Sequence, residues 1–112
     1  MLSWSSTEAG TPADLAAIVD GEGDGGLPFG EELVAFVDAV GGWDVAELAA
    51  ARDQLAAAAG TAFMIDAAAV IANFEMMTRV ADGTGARFPA EAAAHRAALD
   101  ARLGIARFTS AR

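Results

Sequence analysis

The sequence predicts an all-α fold, a small orthogonal bundle of about five helices. Three observations predict it. Apolar residues recur at i, i+3, i+4 and i+7 in several stretches. Start and stop residues bracket those stretches. No stretch pairs sustained alternation with a hairpin turn, so no sheet is expected. A chain of 112 residues is one small domain. We read residues 1–10 as an N-terminal tail and 11–112 as a single helical domain with a Gly-rich acidic loop at 21–30.

Each helix has its own signals. In the first, Thr11 offers an N-cap, Pro12 a first helical position and Asp14 a first-turn acid. Leu15, Ile18 and Val19 give it a short apolar stripe, and Gly21 ends it. The second starts near Glu31 with Leu33, Phe36, Val37 and Val40 on one face, and Gly41 and Gly42 stop it. The third has the clearest start: Asp44 caps, Glu47 reaches back, and Trp43 staples onto Leu48. It runs to about Ala59, with Gly60 beyond its end. Thr61 then caps a long fourth helix to about Asp82, closed by Gly83 and Gly85. Pro89 opens the fifth, and Gly104 closes it after Leu103.

Composition excludes several classes of function. Cysteine is absent, which removes thiolate catalysis, disulfides, Cys-ligated zinc and iron–sulfur clusters. The formal net charge is −9 and every basic residue except His95 is Arg. Such a balance argues against nucleic acid or an anionic membrane as partner. The charge is uneven: the first 53 residues carry eleven acids against Arg52 alone, and the remainder five acids and six Arg. The acidic half is either a solvated surface or has a complement within the chain or in a second subunit. Met1–Glu8 lacks a signal-peptide pattern. The most apolar stretch, Leu55–Phe74, is alanine-rich and interrupted by Asp66 and Asn73, which argues against a membrane span. The expectation is a soluble, cytoplasmic protein.

The acidic loop fits a calcium-loop pattern. Asp20, Glu22, Asp24 and Glu31 fall at ligand positions one, three, five and twelve, Gly25 at the sharp turn and Leu27 at the apolar eighth position. A hard cation such as calcium wants six to eight oxygens, and the loop must fold back to bring Glu31 in. Glu22 is longer than the usual third ligand, and no second loop exists to pair with. The alternative is a flexible acidic linker between two helices.

On a helical wheel of the fourth helix, Asp66 and Asn73 lie in the middle of an apolar arc. Phe63, Val70, Phe74 and Met77 flank them on one side, and Ile65, Met76 and Val80 on the other. Glu75, Thr78, Arg79 and Asp82 cluster opposite. Within residues 66–85, Phe74, Arg79, Ala81, Asp82 and Gly85 match the pattern Phe-Asn-x-x-Asn-Arg-x-Ala-Asp-x-x-Gly, with Glu75 and Thr78 in place of its two Asn. In this the segment resembles the late helix of the alkylhydroperoxidase-like, or carboxymuconolactone-decarboxylase-type, superfamily. The resemblance covers about residues 31–88 and implies a helical scaffold that forms homo-oligomers. The redox members use a Cys-x-x-Cys pair with a nearby His and an upstream Glu. This chain has no Cys, so neither peroxidase nor disulfide-exchange activity is expected.

Few other residues suggest chemistry. His95 is the sole His, with Glu91 four residues earlier; a general-base pair and a boundary histidine with a helical partner are both open. Glu75, Arg79 and His95 are the candidates for a cysteine-free catalytic site. Serine is confined to the chain's ends, and neither a dinucleotide loop nor a phosphate loop is present. The expected function is a non-enzymatic helical module that binds itself or another protein. A single-loop calcium protein and a cysteine-free small-molecule enzyme are the alternatives.

Overall fold

Among the described residues of the computed structural model, five α-helices carry the regular structure: α1 (Ala16–Asp20), α2 (Gly30–Gly42), α3 (Val45–Ala59), α4 (Thr61–Thr84) and α5 (Ala90–Leu103). A 3-10 turn, Ile105–Arg107, follows. The structure describes residues 8–10, 13–20, 23–87 and 89–107, without the side chains of Ala17, Ile18, Ala93 and His95. No strand occurs among the described residues, so the fold is all-α. The chain divides into two units, Met1–Phe74 and Glu75–Arg112, with the boundary inside α4.

In the first unit, α1 begins later than the sequence suggests. Asp14 stands two residues before its first helical residue rather than in the first turn, and its side chain makes a turn there: the Ala16 N–H donates to Asp14 Oδ1 at 3.0 Å. An aspartate competes with helix for nearby backbone N–H groups, which favours a place ahead of the helix. The expected cap and opening proline, Thr11 and Pro12, lie outside the described residues, as does the Gly21 stop.

Helix α2 is not stopped by its glycine pair. Gly41 and Gly42 are both helical, and the left-handed residue is Trp43, with φ 62°. The chain has one residue between α2 and the Asp44 cap in which to reverse, and Trp43 takes the turn. Its side chain is 82% exposed, so the expected staple onto Leu48 is not formed. The cap itself is as expected. Asp44 Oδ1 accepts from the N–H groups of Ala46 and Glu47, both at 2.9 Å.

A single residue also joins α3 to α4. Gly60, at φ 94°, donates to the Ala56 carbonyl at 3.0 Å and accepts from the Met64 N–H at 3.1 Å. Gly60 thus serves both helix ends, and Thr61, the expected cap, is instead the first helical residue.

The core lies between α2 and α3. Phe36 and Ala39 meet Ala51 and Leu55, and Leu55 is fully buried. Leu33, Val40, Leu48 and Ala59 pack around them. Helix α4 adds Met64, Ala67, Ala68 and Ile71, one face at i, i+3, i+4, i+7 spacing. Burying a side chain such as Leu55 contributes about 1.5–3 kcal/mol.

In the second unit, α4 runs through Gly83 to Thr84, slightly beyond the expected end at Asp82. Gly85 takes the left-handed turn at φ 69°, and the Ala86 N–H donates back to the Ala81 carbonyl at 2.9 Å. That is the Schellman pattern. Pro89 precedes α5, and Gly104 closes it at φ 61° by donating to the Ala101 and Asp100 carbonyls. Both ends agree with the sequence reading.

Candidate functional site

Three regions compete for a functional role: the acidic loop, the Glu75–Arg79 region and the surface of α4. The loop between α1 and α2 is pinned by its own backbone. Asp24 Oδ1 accepts from the Gly26 N–H at 2.9 Å, and its carbonyl accepts from the Leu27 N–H at 3.0 Å. The Asp14 N–H donates to the Gly25 carbonyl at 2.7 Å, which ties the loop to the start of α1. Gly25 has φ 59°, the sharp left-handed turn expected at the sixth calcium-loop position. Asp20 ends α1 and Glu31 is an exposed residue in the first turn of α2. Glu22 lies outside the described residues. Among the described residues no three His, Asp or Glu side chains gather as a metal-binding group.

The same loop closes a cavity of about 230 Å³ against α2. Leu15, Leu27, Leu33, Val34 and Val37 supply apolar wall, and Asp14, Asp24 and Asp38 also line it. Gly30 sits at its base, buried. A Cβ at Gly30 would land on the Asp24 carbonyl, so only glycine allows the loop to lie this close to α2. The sequence reading singled out Asp24 but missed Asp14 and Asp38 here. A signal was present: Gly30, Leu33, Val34, Val37 and Asp38 form a second row on α2, beside the Phe36–Ala39 core face.

Glu75 and Arg79 face each other at 3.6 Å as an i, i+4 pair on α4. Both are well exposed, and neither lines the cavity. Such a pair adds a few tenths of a kcal/mol to a helix. His95 is carried by α5, but its side chain lies outside the described residues.

Helix α4 presents its largest apolar side chains to solvent. In the first unit Phe63, Ile65, Val70 and Phe74 are exposed, from 38% at Phe63 to 57% at Ile65. In the second unit Met76, Met77 and Val80 are exposed as well. The packed face is the small one, Met64, Ala67, Ala68 and Ile71. Asp66 and Asn73, in the middle of the apolar arc, are also exposed. By length and composition α4 is long and apolar enough to cross a membrane, with a mean hydropathy of 1.2 over a window of which none is buried. Comparison of the chain with protein-family models, curated proteins and solved structures gives no match.

Proposed function

We propose that this chain is a non-enzymatic helical module that associates with a second copy of itself through α4. The observation that carries the reading is the exposed apolar surface of that helix. In the first unit alone Phe63, Ile65, Val70 and Phe74 are exposed on it, and large exposed apolar patches mark interaction sites. Phe63, Val70 and Phe74 form one stripe, spaced by seven and then four residues. Ala67, partly buried, lies between this stripe and the core face and allows close helix approach. A two-fold contact places the same stripe on both sides, so an apolar surface is its own complement. Asp66 and Asn73 sit at d positions if Phe63 and Val70 are a positions, and a polar d or a residue fixes register.

Native mass spectrometry at micromolar concentration tests the reading. The expected species are dimers or higher oligomers. The double variant Val70→Glu, Phe74→Glu is expected to be monomeric with unchanged helical circular dichroism, since both side chains are exposed. A wild-type chain that is only monomer sinks the proposal. Monomer that floats with lipid vesicles would replace it with a membrane-embedded α4.

The scaffold we propose with it is the alkylhydroperoxidase-like one without its cysteine chemistry, supported by Phe74, Arg79, Ala81, Asp82 and Gly85. A crystal structure of the assembly with a different helix order would remove this part alone. A second reading, calcium at Asp20, Glu22, Asp24 and Glu31, is favoured by the left-handed Gly25 at the turn position. Calorimetric titration with no heat at millimolar calcium removes it.

A further inference from the structure

We propose that the cavity between the α1–α2 loop and α2 is a binding site for a small neutral apolar molecule, of the size of one aromatic ring with a short alkyl chain. Among the described residues none from α4 lines it, so the site does not depend on self-association.

The walls set the class of ligand. The cavity is about 230 Å³ and its lining is almost entirely apolar. Leu15 bounds it just ahead of α1, Leu27 on the loop, and Leu33, Val34 and Val37 on α2. Asp14, Asp24 and Asp38 also border it, but all three are exposed. Asp14 and Asp24 each turn Oδ1 to a backbone N–H, that of Ala16 and of Gly26. Water and backbone therefore solvate these carboxylates, and they belong to the rim. An ion that entered would give up hydration for aliphatic walls that return no hydrogen bond. A hydrocarbon gains contact with the same walls at no such cost. Concave, mostly apolar lining is the usual build of a small-molecule site.

The loop's backbone holds the space open. The Leu27 N–H donates to the Asp24 carbonyl and the Gly30 N–H to the Leu27 carbonyl, both at 3.0 Å. The Asp14 N–H donates to the Gly25 carbonyl at 2.7 Å. Gly30 lies so close to Asp24 that a Cβ there would overlap its carbonyl. Leu27 cannot settle further onto α2 without breaking this set of contacts. An unfilled apolar space forfeits dispersion contacts along its lining, and a guest restores them. Val37 lines the cavity yet is exposed, so a guest has a way in on that side. An apolar cavity of about 150 Å³ in another protein binds benzene, so a ring with a short alkyl chain suits this larger one.

The test uses the full chain and three probes built on one ring: toluene, benzylammonium and benzoate. Binding is read by amide shifts in two-dimensional NMR spectra during titration. Toluene is expected to bind, with its shifts at residues 13–15, 24–27 and 30–38. Both ions are expected to bind at least about tenfold more weakly. Val34→Trp, which fills the space, is expected to abolish toluene binding. Leu27→Ala removes the loop wall and is expected to weaken toluene about threefold or more. Leu27 lies outside the α2–α3 core, so this variant tests the site even if Val34→Trp fails to fold. No binding at millimolar toluene overturns the proposal. So does an ion that binds as tightly as toluene, a toluene affinity that Leu27→Ala leaves unchanged, or toluene shifts that fall on α4 instead of residues 13–38.

Discussion

The ring of Phe29 stands edge-on to the ring of Phe63, with centroids 5.9 Å apart and planes at 63°. This contact ties the end of the acidic loop to the first turns of α4. Phe29 also carries an unusual backbone. Phe29 precedes α2 in the left-handed region, at φ 57°, a conformation that costs an L-residue about 1–2 kcal/mol. An edge-to-face aromatic pair returns about 0.5–1.5 kcal/mol beyond its area. The expected coupling in a Phe29→Ala, Phe63→Ala double-mutant cycle is therefore about 0.5–1.5 kcal/mol, measured by urea denaturation. Additive single effects would show that the rings do not hold the loop.

Gly30 is expected to be the least replaceable glycine described here. A Cβ there overlaps the Asp24 carbonyl, its carbon and its Cα, all backbone atoms that cannot rotate away. Gly30→Ala should cost about 1–3 kcal/mol, the range for overpacking a tight contact. Gly41→Ala is the control. It sits in the same helix with open space around a built Cβ, and should gain up to about 1 kcal/mol. Thermal melts of the two variants should move in opposite directions; a shared direction would contradict the close approach.

The α2–α3 junction makes a paired expectation. Trp43 holds a left-handed φ of 62° with an exposed indole. Trp43→Gly removes about 1–2 kcal/mol of strain and adds about 0.5–1 kcal/mol of unfolded-state freedom. Its net effect should lie between zero and about 1.5 kcal/mol of stabilisation. Asp44→Ala beside it loses two N–H contacts and should cost about 1 kcal/mol. Chemical denaturation of both resolves the signs.

Much of this junction chemistry is legible in the sequence. Asp44, Gly60, Gly85, Pro89 and Gly104 all stand at helix ends as their residue types require. Two of the departures share a cause. At Trp43 and Thr61 the connection is so short that tertiary geometry, not residue preference, decides which residue turns. The site was harder to read. The wheel of α4 locates the apolar arc around Asp66 and Asn73, but it cannot say which arc meets the core. The structure chooses Met64, Ala67, Ala68 and Ile71, because alanines let α4 approach the α2–α3 pair. The cavity depends on residues 14, 24 and 38 meeting across a loop, which no local periodicity encodes.

The core makes the last expectation. Phe36, Ala39, Ala51 and Leu55 are the buried hydrophobic residues among those described, and two of the four are alanine. Small domains stand near the limit of independent stability. Leu55→Ala should cost about 2–5 kcal/mol, a large part of the roughly 5–15 kcal/mol that holds a domain folded. If α4 joins a second copy, association adds to that stability by mass action, and the denaturation midpoint depends on protein concentration. Wild-type chain is then expected to unfold at higher urea when its concentration is raised, and Leu55→Ala to show the same dependence from a lower midpoint. The Val70→Glu, Phe74→Glu chain should lose the concentration dependence while retaining a cooperative transition. A wild-type midpoint independent of concentration would place all the stability within one copy, and the exposed stripe of α4 would then need a different occupant.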